Sequence, residues 1–146
     1  MNARDQFVQV LADFSAESGI EVSLDEDNVA VVNAEDASLM LNFLPQSGEV
    51  IAWSTVGFLT GDSCDAKRIE LLMKWNDDPE VTEGFSFALS ETDGRILVHD
   101  HRNVMFLNTA DILATWLGIL IDVLREARTR LETEAPEEDD EDSEEV

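Results

Sequence analysis

A chain of 146 residues with 33 acids against nine bases carries a net charge of −24, which repels phosphate backbones and anionic lipid. Nucleic-acid and membrane-surface roles are therefore disfavoured; basic protein partners are favoured in their place, although an acidic balance more often serves only solubility. Its single cysteine, Cys64, cannot close a disulfide within the chain, and its longest apolar run, "ILATWLGILI", is too short to span a bilayer.

The hydrophobic share of 44% suffices for the core of one domain, expected over residues 1–131. The remainder, "ETEAPEEDDEDSEEV" (132–146), has ten acids and no base and is expected to stay disordered. The start, "MNARDQF", meets an acid at residue 5 and does not read as a secretion signal, so a cytoplasmic protein is expected.

Phe7, Val10, Leu11 and Phe14 fall at helical spacing and predict an opening helix that ends at Gly19. From Val22 to Leu59 the period changes, with "NVAVVNA", "SLMLNFLPQ" and "EVIAWSTVGFL" separated by turn-rich residues, which predicts a meander of three antiparallel strands. Leu39, Leu41 and Phe43 share one side of the second strand, and Met40 and Leu44 flank Asn42 on the other. Both faces are apolar.

"DAKRIELLMKW" returns to helical spacing, grouping Ile69, Leu72 and Met73, with Leu71 and Trp75 on a neighbouring face, and is stopped between Asn76 and Pro79. "FSFALSETDGRILVHDH" alternates as a hairpin, with Phe85, Phe87 and Leu89 inward and a two-residue turn at Asp93-Gly94. Residues 109–131 form the last helix, apolar over more than one stripe, which implies a sheet on one side and a partner on the other. The starts "NARD", "DSCD" and "NTAD" each set Asn or Asp three residues before Asp, a capping pattern.

His99 and His101 project to the same side of a strand and share the character of metal ligands, but no other histidine exists to complete a site. The alternative is an edge strand kept polar against wrong pairing. Cys64 before a helix has the setting of an activated thiol, without a cysteine-hydrolase signature around it. No phosphate-binding loop, dinucleotide fingerprint or paired-cysteine pattern is present, and neither an enzymatic activity nor a cofactor is expected. Val50, Ile51, Trp53, Val56, Phe58 and Leu59 stand on strands whose opposite faces are also apolar, and a second apolar sheet face implies either a cover within the domain or contact with something else.

The order helix, three strands, helix, hairpin, helix is an α+β arrangement, α-β-β-β-α-β-β-α, with an antiparallel twisted sheet packed by helices. In "FVQVLADFSAESGI", "SLMLNFLPQSGEVIAWSTVGFL", "AKRIELLMKWN" and "FSFALSETDGRILV" it resembles the class I type III secretion chaperones of the CesT (Tir chaperone) family.

That resemblance implies a homodimer without enzymatic activity that holds the N-terminal region of a secreted effector in extended form. Mapped onto this chain, it implies effector contacts at Phe7, Val29, Val31, Leu41, Phe43, Ile51 and Trp53 and dimer contacts at Leu72, Trp75 and Phe87. YbjN-like bacterial proteins, linked to regulation, share a similar order of elements and remain an alternative. A small metal-dependent enzyme using His99 and His101 is a third.

Overall fold

A computed structural model describes residues 2–136. The elements are α1 (Ala3–Ser18), β1 (Val29–Ala34), β2 (Ala37–Leu44), β3 (Glu49–Phe58), α2 (Asp65–Asn76), α3 (Pro79–Thr82), β4 (Ser86–Leu89), β5 (Arg95–Asn103), a single 3-10 turn (Val104–Phe106) and α4 (Ala110–Glu134). The expected α+β order is present, with the short α3 as an addition. The strands form one five-stranded sheet in the order β1-β2-β3-β5-β4. β1, β2 and β3 pair antiparallel. β3 and β5 also run oppositely, since Val104 N–H donates to Gly48 O at one end and Leu59 N–H to Gly94 O at the other.

Two compact units divide the chain, one comprising Met1–Ser54 with His99–Ile121 and the other Thr55–Val98 with the residues from Asp122 onward. In the first, α1 buries Phe7, Val10, Leu11 and Phe14, the four residues its spacing groups together. Phe7 stacks on Phe43 of β2 with ring centroids 6.1 Å apart, so α1 lies on the sheet face that carries Leu39, Leu41 and Phe43. Asn2 caps the helix by accepting from Asp5 N–H, and Gly19 closes it at φ 76, a left-handed conformation that an L side chain resists. The first turns of α4 complete this core with Leu113, Trp116 and Leu120. Trp116 donates its indole N–H to Asp100 at 2.9 Å, and the Arg102 guanidinium lies 5.2 Å from its ring centroid.

In the second unit α2 packs through Arg68, Leu71, Leu72 and Trp75. This corrects the expected grouping of Ile69, Leu72 and Met73, because Met73 is 71% exposed and a buried arginine takes its place in the stripe. Arg68 is tolerated inside because it is fully partnered: its Nη1 reaches Asp62 at 2.8 Å, Asp65 at 2.7 Å and Thr60 Oγ1 at 3.2 Å. Asp65 also accepts from Thr60 and Gly61 N–H, and these bonds, with Arg68 beside it, hold its carboxyl below the usual carboxylate range.

The hairpin differs from expectation in its loop. Ser90 N–H donates to Arg95 O and Gly94 alone takes positive φ, so four residues connect the strands, and Leu89 ends 38% exposed instead of inward. Of the three expected caps, Asn2 holds. Asp62 accepts from Cys64 N–H but serves Arg68, and at α4 the hydroxyl of Thr109, not Asn108, accepts from Ile112 N–H. α4 continues to Glu134, so the first three residues of the tail expected over 132–146 are helical, and the part of it from residue 137 onward lies outside the described residues.

Arg68→Ala leaves two partly shielded carboxylates facing each other without their cation, and is expected to lower stability by about 2–3 kcal/mol in urea unfolding. Arg68→Met, which keeps the volume, should cost as much or nearly so if charge, not packing, is what the site needs.

Candidate functional site

Alternation along β1–β3 sends a second set of side chains to the face opposite α1. The registers Val31↔Met40 and Met40↔Trp53 place Val31, Met40 and Trp53 in one row across three strands, and Val29↔Asn42 and Asn42↔Ile51 place Val29, Asn42 and Ile51 in the next. Directly opposed side chains in such a ladder stand about 5 Å apart, close enough for each row to be a continuous surface. Val31 is 40% exposed and the other five are half-buried. Trp53 is oriented by its indole N–H, which donates to Asn42 Oδ1 at 2.9 Å.

Four of the seven residues expected at effector contacts, Val29, Val31, Ile51 and Trp53, therefore share the face opposite α1. Phe7, Leu41 and Phe43 do not. All three are buried in the core of their own unit, because alternation groups residues by face without saying which face is inside. Leu72, Trp75 and Phe87, expected at a dimer contact, are likewise buried, with the Trp75 and Phe87 rings 5.5 Å apart at 58°. The exposed side of α2 is instead a shallow groove of about 630 Å³ lined by Ala66, Ile69, Glu70, Met73, Lys74 and Asp77, with Lys74 and Glu70 paired at 2.8 Å.

The sheet has two edges, and side chains treat them differently. On β4 the Asn76 carboxamide accepts from Phe87 N–H at 2.7 Å and donates to Phe87 O at 2.9 Å, imitating a neighbouring strand and closing that edge. On β1, Phe43 N–H donates to Asn28 O, so in the antiparallel alternation residues 28, 30 and 32 face β2 while 29, 31 and 33 turn outward. Asp25 occupies the outward groups of Val29: its carboxylate accepts Val29 N–H at 2.9 Å, and its own N–H donates to Val29 O at 2.9 Å. Among the described residues nothing hydrogen-bonds the outward groups of Val31 and Asn33. The open edge is thus a short window beside the exposed row.

Asp25, Asn76, Arg68 and Met73 escape a pattern reading. Only the turn-rich "DED" ahead of "NVAVV" hints at the first, as Asp is a common local acceptor for neighbouring backbone N–H groups.

His99 and His101 have ring centroids 5.8 Å apart, and His101 Nδ1 lies 3.7 Å from Glu49. No group of three or more His, Cys, Asp and Glu side chains that could hold a metal ion occurs among the described residues. Cys64 is half-buried ahead of α2, its N–H donated to Asp62. No helix of the described residues is long and apolar enough to cross a membrane.

The sequence profile of the Tir chaperone protein (CesT) family matches residues 9–128. No curated protein matches the chain by sequence. Among solved structures, a chain of the HopA1–SchA chaperone–effector complex is similar over 88% of this chain and 98% of its own, at a TM-score of 0.72 and 14% identity. A chain of the ExsC–ExsE complex is similar over 88% and 96%, at 0.72 and 18% identity. YbjN from E. coli is similar over 86% and 90%, at 0.60 and 9% identity. At such identities the likeness is one of fold.

Burial and the neighbouring His101 hold His99 below the ordinary histidine value, with Asp100 pulling the other way. As the unfolded chain takes up a proton at His99 before the folded one does, its contribution is fully present above about pH 6.5 and is lost as pH falls toward the depressed folded value. His99→Gln is expected to flatten this part of the stability profile in urea unfolding between pH 7.5 and 5. In proton NMR, His101→Gln should raise the His99 titration midpoint.

Proposed function

Since the chain belongs to the Tir chaperone (CesT) family, we propose that it is a type III secretion chaperone. In this reading it binds the N-terminal region of a secreted effector in extended form in the bacterial cytoplasm, keeps it soluble and performs no chemistry on it. The observation that carries the reading is the apolar row Val31, Met40, Trp53, with Val31 exposed and the other two half-buried, lying beside an open strand edge. An extended segment gains main-chain bonds at such an edge and side-chain burial on the adjoining face, which together reward a chain that has no fold of its own. The similar chains in the HopA1–SchA and ExsC–ExsE complexes support the same role.

The chain is further proposed to act as a homodimer. The exposed groove on α2, with Met73 at its centre and Ile69 beside it, is the surface offered to a second copy. A two-fold contact of this kind is self-complementary and doubles the binding face. The acidic surface keeps the particle from self-association elsewhere and favours basic segments in the effector.

Co-expression with the products of neighbouring genes, followed by gel filtration, tests the role directly: a stable complex with one of them is expected. Trp53→Asp should leave the circular dichroism and melting profile near those of the parent while weakening effector capture by about 2 kcal/mol, roughly thirtyfold. If the protein unfolds instead, Trp53 belongs to a core. Met73→Asp should convert the dimer to a monomer in sedimentation velocity; an unchanged particle mass would place the contact elsewhere.

A further inference from the structure

We propose that the β1 edge selects an extended segment that carries basic residues on both sides of a short apolar stretch. This rests on the reading of the chain as a binder of unfolded effector, and narrows it to a sequence class.

Among the described residues only the outward groups of Val31 and Asn33 on β1 are open, so pairing with an incoming strand is confined to a few residues. Carboxylates bracket this window. Asp25, Glu26 and Asp27 precede β1, Glu35 and Asp36 follow it, and all five are exposed. Arg4 is the base held at the first bracket, its Nε bonded to Asn28 Oδ1 at 2.8 Å and its Nη2 to Asp25 O at 3.3 Å. One guanidinium thus stands against three carboxylates there.

Asp25 has a particular place among them. Because its carboxylate accepts the outward N–H of Val29, it lies where the added strand would otherwise continue. It both stops the ladder and sets a negative charge at the end of the incoming segment.

Asp27 and Glu35 are each four residues from Val31, in the turns at either end of β1, and at about 3.3 Å per residue of extended chain this is at most roughly 13 Å. A separation near that limit exceeds the screening length of about 8 Å at physiological salt, so each bracket acts mainly on the part of the segment next to it. An apolar residue opposite Val31 with Lys or Arg within about four residues on either side satisfies both brackets, and acidic flanks meet like charge directly across the pair.

The test uses the full chain, labelled with nitrogen-15, and three synthetic peptides that share an alternating centre, Leu-Thr-Val-Thr-Leu, and differ in flanks of two lysines, two glutamines or two glutamates at each end. Chemical-shift titration is expected to move the Val31 and Asn33 amides. The lysine peptide should bind about tenfold tighter than the glutamate peptide at low salt, with the ratio shrinking at high salt. The double variant Asp27→Lys, Glu35→Lys, which leaves three carboxylates against two lysines and Arg4, should abolish the difference between the two peptides.

Equal affinities at the same amides, unaltered by the double variant, would overturn the charge selection and leave edge binding standing. A peptide N-methylated at the residue facing Val31 separates the two levels. If methylation changes nothing, or if no peptide shifts β1 up to about 5 mM, the edge is not a binding site and the selection falls with it, while the Trp53→Asp capture experiment still judges the chaperone role alone.

Discussion

A β-strand alternates its side chains between two faces, and in β1–β3 the set that meets α1 is almost wholly apolar while the opposite set mixes large apolar groups with Asn33, Ser38, Asn42 and Glu49. Leu39, Leu41 and Phe43 go to α1 and are buried. Val31, Met40, Ile51 and Trp53 go the other way and stay half-covered or exposed. A register slip of one residue would turn Ser38, Asn42 and Glu49 toward the core, so hydrophobic contrast and the hairpin geometry together fix the pairing. Glu35 at φ 51 and Gly48 at φ 72 in the two connecting turns are where that geometry is set.

How the sheet ends follows from the same concern. An open edge beside an apolar face invites uncontrolled pairing, and here two side chains meet that hazard with local imitation of a strand. Asn76 serves Phe87 with both a donor and an acceptor, while Asp25 serves Val29 with its carboxylate and its backbone N–H. The difference is extent. β4 spans only four residues, so one amide covers its outward groups at the middle, whereas β1 keeps two residues open beyond Asp25.

Legibility in the sequence tracked how many physical signals agreed at each place. α1 was readable to its ends because apolar spacing, an asparagine cap and a C-terminal glycine coincide there. The strand faces were readable as groups, since Leu39, Leu41 and Phe43 do travel together, but their sides were misassigned because the large Val31, Met40, Ile51 and Trp53 masked the polar Asn33, Ser38, Asn42 and Glu49 that mark the outward set. Hence Phe7, Leu41 and Phe43 were grouped with Val29, Val31, Ile51 and Trp53, although the first three are buried and the other four lie on the opposite, part-exposed face. In α2 the stripe was misread because a buried arginine is visible only through its partners, and Asp62 and Asp65 are ordinary turn and helix-start residues until the fold brings them to Arg68. At α4 two residues competed for one capping position, and Thr109 lies one residue nearer the first free amides than Asn108.

Magnitudes then decide how such a site can hold a segment at all. Two outward residues offer at most four main-chain bonds, each about 1 kcal/mol net. Their sum only matches the lower estimate of the cost of association, about 4 kcal/mol. The edge alone therefore orients a segment without retaining it, and the surplus has to come from side chains laid on Val31, Met40 and Trp53, where a fully buried large apolar group contributes about 1.5–3 kcal/mol. One or two such anchors give a contact that forms and dissolves readily. In the proposed dimer the second copy of the same face meets the same effector chain at high effective concentration, so two weak contacts together hold firmly and still release one at a time. A binder that must later surrender its client as an unfolded thread is better made of such small, separable pieces than of one deep pocket.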